Sequence, residues 1–336
     1  MGISRREARE LSSISNHGLS KSTWSNYATA ERMLKKCGKE TKRNMELPLG
    51  QAQVLLFINW LIKERKAKHG TICSYLAGIK QLHVVMGLER VVIRTELVNL
   101  VLNGRKNQEV LEKKRGKKEG GRLPVTLAVM KLLKGALRTS SLEVGEKISI
   151  WAISCLAFSG SFRIHELLCK EEGKFDPGFT LLDRDVKITR DEGENKEVII
   201  LYLKWPKEDK AGKGAVVEVL ESGNEVCPVK ALKKYWRGRG ARQPDQPAFM
   251  HPKGGAWTGA LFNRELQKLL KPHFEDQEGS FTSHSFRSGV PSMLGRSGYS
   301  DAQIQSVGRW SSRAFEHCVK LPRVKRREMA VEISKM

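Results

Sequence analysis

An arginine, a histidine and a glutamate interrupt the apolar segment FSGSFRIHELL, which spans residues 158–168. A buried guanidinium is costly unless it is paired or faces a ligand, so Arg163 requires an explanation. Glu166 lies three residues further on, where it would share a helical face with Arg163 and orient its guanidinium. The rest of the guanidinium could then bind an anion. The alternative is a structural ion pair at the edge of a core helix.

Two further segments carry cations that could join Arg163 around a phosphate. Lys207 lies in KWPKEDKAGKG, on a predicted turn between two strands, where a lysine can protonate a leaving oxygen; an ordinary polar turn is the alternative. In SFTSHSFRSGVPSML, a Ser or Thr caps a predicted helix with His284 and Arg287 on one face of its first turn. Phosphoryl transfer without a metal requires several such fixed cations.

The composition favours a polyanionic partner. The 336 residues include 60 Lys and Arg against 37 Asp and Glu, which gives a formal net charge of +23. A membrane is disfavoured because there is no apolar run of about 18 residues, no signal peptide and no lipidation motif. The six cysteines form no CxxC pair, and HELLC at 165–169 lacks the second His of a helical zinc motif. We therefore expect an intracellular nucleic-acid-binding protein with no metal and no cofactor.

Periodicity predicts a mainly α fold in two domains. Residues 1–103 predict a helical domain, and residues 104–122, rich in Lys, Arg and Gly, predict an exposed linker. This linker is either solvated surface or a basic strap across a phosphate backbone. Residues 123–336 predict a second, mostly α domain. Within it, TLLDRDVKIT, KEVIILYLKWP and AVVEVLE predict a small three-stranded antiparallel sheet.

The order of these motifs resembles the tyrosine recombinase (phage-integrase-type) family. The resemblance rests on Arg-Ile-His-Glu on a helix, a Lys on a β-turn, HSFR, and then VGRWSS at 307–312. It covers nearly the whole chain, with residues 1–103 similar to the family's DNA-binding core-binding domain and residues 123–336 similar to its catalytic domain. KxDxxGKG, HSFRSG and GRWSS are most similar to recombinases of eukaryotic transposable elements, namely DIRS and Ngaro retrotransposons or Crypton-type elements.

The resemblance implies a role for each matching residue. Arg163 and Arg287 would clamp the scissile phosphate, with Glu166 orienting Arg163. Lys207 would protonate the leaving 5′ oxygen. His284 would transfer a proton or bind the phosphate.

The family's third motif and its nucleophile fall on the VGRWSS segment and the residues after it. The third-motif residue is Arg309 or Trp310; spacing favours Arg309 and leaves Trp310 as a packing or hydrogen-bonding neighbour. Counted from Arg309, the nucleophilic tyrosine falls on Cys318. The last tyrosine, Tyr299, precedes GRW, and an identical subunit cannot supply another.

A cysteine at the nucleophile position leaves three interpretations. Cys318 could attack, although sulfur is a poor nucleophile towards phosphorus and the thiol lies roughly 4 Å nearer the backbone than a tyrosine hydroxyl. Alternatively, an engineered substitution stalls an active recombinase on its DNA. The third interpretation is a natural loss of strand cleavage.

The resemblance also implies an activity and an assembly. It implies a DNA strand transferase that cuts and rejoins double-stranded DNA through a 3′-phosphotyrosyl intermediate, in mobile-element integration or excision, and that is inactive or stalled in this chain. It implies a dimer on each site and a homotetramer on two duplexes, with nuclear localisation in a eukaryote. VKRREMAVEISKM, residues 324–336, is the candidate for exchange between subunits, a nuclear-import signal or a basic tail. A silent DNA-binding derivative is the alternative function, and a type IB topoisomerase a more distant one.

Overall fold

The computed structural model describes residues 18, 21–88, 93–114, 121–173, 175–191, 193, 195–204, 212–274 and 279–309. The chain divides into two compact units, Met1–Lys118 and Glu119–Met336. Each unit has its own cluster of buried apolar side chains. None of the helices in the described ranges has the length and hydropathy needed to cross a membrane.

The described part of the first unit is helical. Its helices are α1 (Lys21–Thr41), α2 (Gln51–Arg65), α3 (His69–Val85) and α4 (Glu96–Lys114). Apolar residues at helical spacing, such as Phe57 and Leu61 on α2, fill the core between them. Buried His83 on α3 accepts a hydrogen bond from the backbone N–H of Leu49 at 3.1 Å. This bond attaches the segment that precedes α2 to α3.

The structure differs from the linker predicted over residues 104–122, because α4 continues to Lys114. The basic residues of this stretch alternate with glutamates at helical spacing, and Arg105 pairs with Glu109 and Glu112 at 3.3 Å. Such pairs stabilise a helix even where apolar residues are few. The first unit therefore extends beyond the boundary predicted at residue 103. Residues 115–120 lie outside the described residues.

The second unit is mostly α with a small sheet, as predicted. Its elements are β1 (Gly121–Arg122), α5 (Leu127–Thr139), α6 (Val144–Ser159), α7 (Ile164–Leu167), β2 (Val186–Asp191), β3 (Lys196–Leu203), β4 (Ala215–Leu220), α8 (Pro228–Arg239), α9 (Gly259–Leu270), β5 (Gly279–Ser280), α10 (Ser283–Arg296) and α11 (Asp301–Gly308). Strands β2, β3 and β4 are consecutive and antiparallel, which confirms the predicted sheet. The short strands β1 and β5 form a separate parallel pair.

Helix α6 is the centre of this unit. All residues from 152 to 158 are buried, so the second half of the helix is enclosed on every side rather than on one face. Helices α5, α8 and α10 pack against it. The turn that follows α6 at residues 160–163 is therefore held in place by the core.

A glycine allows α10 to approach the backbone that precedes α5. Val125 donates its backbone N–H to Ser285 O at 2.9 Å, and a Cβ at Gly289 would lie 1.8 Å from Val125 O. No side chain larger than hydrogen fits there unless the backbone moves. The close packing of α10 depends on this residue.

We expect Gly289→Ala to lower the free energy of unfolding by about 1–3 kcal/mol, the usual effect of overpacking, because the new methyl group meets backbone that cannot rotate away. The matched control is Gly135→Ala in α5, where a Cβ meets nothing within 4 Å. The control should raise stability by about 0.5–1 kcal/mol through its higher helix propensity. Urea denaturation of both full-length variants measures the difference, and equal effects of the two would contradict the tight contact.

Candidate active site

A single carboxylate binds two of the arginines singled out in the sequence. Glu166 Oε1 accepts a hydrogen bond from Arg163 Nη1 at 3.2 Å, and Oε2 accepts one from Arg309 Nη2 at 2.9 Å. The side chain of Glu166 is 7% exposed, against 17% for Arg163 and 20% for Arg309. Charge-assisted hydrogen bonds are stronger in such a partly desolvated place than in water. Glu166 therefore fixes the orientation of both guanidinium groups.

The predicted contact between Arg163 and Glu166 is present, but the local structure differs from the prediction. Arg163 has an extended backbone with ψ of 135° and immediately precedes α7, so the two residues do not share a helical face. Instead, Glu166 lies in the first turn of α7, and its Oε2 accepts the backbone N–H of Arg163 at 2.9 Å. An acidic residue at this position satisfies a donor that the helix leaves open.

Arg287 joins the turn after α6 to the end of α11. It is 3% exposed, and its Nη1 donates to Ser161 O at 2.8 Å while its Nη2 donates to Gly308 O at 2.5 Å. Ser161 lies two residues before Arg163, and Gly308 immediately precedes Arg309. Arg287 therefore brings the two segments that carry the other arginines together.

Arg309 is held by three kinds of contact. Its backbone ends α11 in the left-handed conformation, with φ of 53°. Its guanidinium lies over the ring of Phe162, 4.7 Å from the centroid, and Nη1 donates to Gly160 O at 3.1 Å. A cation over an aromatic face is stabilised by the quadrupole of the ring. Together with the Glu166 contact, these interactions place Arg309 beside Arg163.

His284 lies in the first turn of α10, three residues before Arg287. Thr282 caps this helix, and its Oγ1 accepts the backbone N–H of His284 at 3.3 Å, which confirms the predicted helix start. The side chain of His284 is exposed, whereas that of Arg287 is buried. The first turn of α10 thus carries an exposed histidine three residues before a buried arginine.

Three of the predicted site residues lie outside the described residues: Lys207, Trp310 and Cys318. The two antiparallel strands β3 and β4, which the sequence predicted, flank the segment of Lys207 in the chain. Trp310 directly follows Arg309 in the chain. Their contribution to the site stays a prediction.

The sequence analysis missed Lys204, a cation that lies in the chain just before the segment that contains Lys207. It follows β3, and its Nζ lies 2.6 Å from Asp185 Oδ2 and 2.9 Å from Pro177 O. Its side chain is 17% exposed. These contacts anchor the chain where the β3–β4 connection begins, three residues before Lys207. In the sequence, only the position of Lys204 at the start of KWPKEDKAGKG, three residues before Lys207, could have drawn attention to it.

His165 lies between the two paired residues but adds no positive charge. Neighbouring atoms partly desolvate its ring and Lys170 repels a second positive charge, so the pKa of His165 lies below its usual value. It is therefore neutral at neutral pH. The cations beside Glu166 are the two guanidinium groups.

No protein-family model matches the sequence, and no curated protein matches it. Solved structures of integrases and recombinases do match the fold. The Tn1549 transposon integrase in complex with transposon right-end DNA has a TM-score of 0.59 at 14% identity, over 97% of this chain and 98% of that chain. The XerH site-specific recombinase bound to a palindromic difH substrate has a TM-score of 0.60 at 13% identity, over 93% of this chain and 80% of that chain.

A lambda integrase dimer bound to core-site DNA gives a similar result, with a TM-score of 0.56 at 13% identity over 93% of this chain and 75% of that chain. At these identities the likeness establishes the fold. The chain has the mostly helical fold with a small antiparallel sheet that these integrases and recombinases share.

We expect Glu166→Gln to lower the free energy of unfolding by about 1–3 kcal/mol, because two partly buried guanidinium groups lose their counter-charge. The matched control is Glu265→Gln. Its carboxylate is also largely buried, but it pairs with Arg264 and Lys268, whose side chains are each 63% exposed. The control substitution should lower the free energy of unfolding by less than about 1 kcal/mol, since water can solvate both cations. Urea denaturation of the two variants is the measurement, and a larger loss in the control would refute the role of Glu166.

Proposed function

We propose that this chain is a DNA-binding protein of the tyrosine recombinase type, whose site is built to stabilise a phosphodiester during strand cleavage and rejoining. The observation that supports this best is the cluster of Arg163, Arg287 and Arg309 around Glu166 and the turn after α6. These arginines come from three separate segments and lie on a fold shared with solved integrases and recombinases.

The charge of the cluster suits this chemistry. Three guanidinium groups and one carboxylate leave two net positive charges. A phosphodiester carries one negative charge, and more negative charge collects on its non-bridging oxygens when a nucleophile adds. Because Glu166 and backbone carbonyls already orient the guanidinium groups, little reorganisation is needed during the reaction. This arrangement favours the transition state over the bound ground state.

The residues outside the arginine cluster would handle the protons. Lys207 would donate a proton to the 5′ oxygen as the P–O5′ bond breaks, and exposed His284 would bind the phosphate or take part in proton transfer. With a tyrosine as nucleophile, its oxygen would bond to phosphorus and leave a 3′-phosphotyrosyl link and a free 5′ hydroxyl. The free 5′ hydroxyl would then attack the phosphorus of the 3′-phosphotyrosyl link on the partner strand, forming the new P–O5′ bond as the P–O bond to tyrosine breaks and the tyrosine is released. The number of phosphoester bonds is conserved, so no nucleotide cofactor is needed.

Cys318 stands where that tyrosine is expected, so we propose that this chain binds DNA but is inactive or stalled in cleavage. The thiol is a poor nucleophile for phosphorus and is too short to reach without movement of its segment. The retained arginines and Glu166 support a substitution, engineered or natural, in an otherwise complete site. A silent DNA-binding protein derived from a recombinase is the second candidate, and the cysteine is the observation that favours it.

The narrower assignment is also a proposal. The sequence motifs KxDxxGKG, HSFRSG and GRWSS support an origin in a eukaryotic transposable element of the DIRS, Ngaro or Crypton type, and therefore a nuclear site of action. A dimer on each site, a homotetramer on two duplexes and exchange of residues 324–336 follow from the same resemblance. Residues 324–336 lie outside the described residues.

We expect Cys318→Tyr to form a covalent adduct with DNA, because it restores the one missing group. Binding sites would first be enriched from random duplex DNA with the unaltered protein, then nicked so that cleavage cannot be reversed. Denaturing electrophoresis measures the adduct. Cys318→Phe is the control, since it has the same ring but no hydroxyl.

An adduct with Cys318→Tyr alone would support a recombinase site that lacks only its nucleophile. If Cys318→Tyr bound the enriched sites tightly but formed no adduct, the silent DNA-binding protein would be the better description. An adduct with the unaltered chain that is lost in Cys318→Ser would identify the thiol as the nucleophile.

We expect the affinity of the unaltered protein for duplex DNA to fall steeply with salt, because contacts of its many Lys and Arg side chains with phosphates release counterions. A protein with several phosphate contacts loses about 1000-fold in affinity between about 50 and 200 mM salt. Fluorescence anisotropy with a labelled duplex at increasing salt is the measurement. An affinity independent of salt would contradict a phosphate-binding surface.

A further inference from the structure

A second basic feature lies on the second unit, in a groove between α5, α6 and α8. The groove has a volume of about 760 Å³. Its floor is apolar and is formed chiefly by Leu137, Val144, Ile148 and Trp151. Val144 is 72% exposed and lies in the same lining as the partly exposed Ile148 and Trp151, so these apolar side chains form a group rather than single scattered residues.

The groove is separate from the arginine cluster. It lies along the first half of α6, whereas the arginines gather after the last turn of that helix. The lining reaches along α6 as far as Trp151, and the eight residues from there to Ser159 span about 12 Å at about 1.5 Å per residue. A ligand confined to these lining residues would therefore not touch Arg163, Arg287 or Arg309.

Five cations line the groove, and most of them have no counter-charge among the residues that the structure describes. They are Lys134, Arg138, Lys147, Lys230 and Lys234. The single lining carboxylate, Glu225, already binds Lys134 at 3.1 Å and Lys131 at 3.5 Å, and these lysines lower its pKa. Within the described ranges, Arg138, Lys230 and Lys234 have no carboxylate at ion-pair distance.

The combination of an apolar floor and a basic rim limits the ligand. Duplex DNA offers phosphates to the rim but only small apolar groups, such as thymine methyls, to the floor, so Val144 and Ile148 would gain little from it. A peptide helix with apolar side chains on one face and carboxylates on both sides of that face satisfies both parts. Amphipathic helices bind grooves in this way, with apolar anchors at positions i, i+3, i+4 and i+7.

We propose that this groove binds an acidic amphipathic segment of a partner protein. Its apolar side chains would pack on Trp151, Val144 and Ile148, and its Asp and Glu side chains would face Lys230, Lys234 and Arg138. This binding would recruit the partner without occupying the arginine cluster, and it does not depend on whether the chain cleaves DNA.

Residues 1–17 and 324–336, near the two ends of the chain, are poorly suited to the groove because of their charge. Residues 324–336 contain four basic side chains, Lys325, Arg326, Arg327 and Lys335, against the two acidic residues Glu328 and Glu332. Residues 1–17 contain three arginines against two glutamates. Both would bring positive charge to a positive rim. Charge complementarity therefore favours a partner over either end of the chain or a second copy of this basic protein.

The experiment uses a fluorescent helical peptide of about 18 residues, or five turns, with leucines on one face and glutamates elsewhere. Anisotropy measures its binding to the full-length protein. Two further probes are a peptide of the same composition with the leucines scattered and a peptide with lysines in place of the glutamates. Both should bind at least tenfold more weakly, since the first lacks an apolar face and the second has the wrong charge.

Variants of the protein locate the binding. Two variants should each weaken binding of the acidic peptide at least tenfold. The first combines Lys230→Glu with Lys234→Glu, and the second is Val144→Asp alone. The matched control changes the same charge elsewhere on the second unit, with Lys187→Glu together with Lys271→Glu, both at exposed positions. It should leave binding within about twofold, which excludes general attraction to a basic protein. All substituted positions are exposed, and thermal denaturation verifies that the variants fold.

Three results would overturn the proposal. The first is equal loss of binding in the groove and control variants. The second is that a peptide of residues 324–336 competes with the acidic peptide for the groove as effectively as the unlabelled acidic peptide does. The third is that the variant with Lys230→Glu and Lys234→Glu loses more affinity for a single-stranded or duplex oligonucleotide than for the peptide. This result would identify the groove as a nucleic-acid-binding surface.

Discussion

The site depends on the Glu166 carboxylate, which lies between two guanidinium groups from distant parts of the chain. Without it, Arg163 and Arg309 would repel each other in a partly desolvated place, where like charges interact more strongly than in water. With it, each arginine has a fixed position before any ligand arrives. The rest of the second unit provides the geometry: α6 holds the turn at residues 160–163, and α10 supplies Arg287, which ties that turn to the end of α11.

Much of this arrangement could be predicted from local sequence, and the remainder could not. The Arg163–Glu166 pair, the cap of the helix that carries Arg287 and the three strands depend on residues close in the chain, where spacing is informative. The bond between Arg309 and Glu166 joins residues 143 positions apart and becomes visible only when the chain is folded. The extension of α4 was missed because its helix is stabilised by ion pairs rather than by an apolar face, which was the signal used for prediction.

The positive charge of the chain is gathered into features with different surroundings. In the arginine cluster, guanidinium groups are partly buried and held by a carboxylate, an aromatic ring and backbone carbonyls, which suits a ligand that must be placed accurately. In the groove on α5, α6 and α8, lysines surround apolar side chains, and Lys230 and Lys234 have no carboxylate at ion-pair distance among the described residues, which suits a larger and more adaptable ligand. A protein that retained both after losing its nucleophile could still bind DNA and recruit a partner.

The most direct test of the arginine cluster compares two DNA substrates for the Cys318→Tyr protein, one normal and one with a neutral methylphosphonate at the cleaved position. If the guanidinium groups hold the negative charge of the phosphate, Arg163→Ala and Arg287→Ala should each abolish the covalent adduct on normal DNA. On the neutral substrate, the same variants should form the adduct at close to the rate of the Cys318→Tyr parent. An equal loss on both substrates would contradict a charge-stabilising role and would show that these arginines serve only the fold or DNA binding.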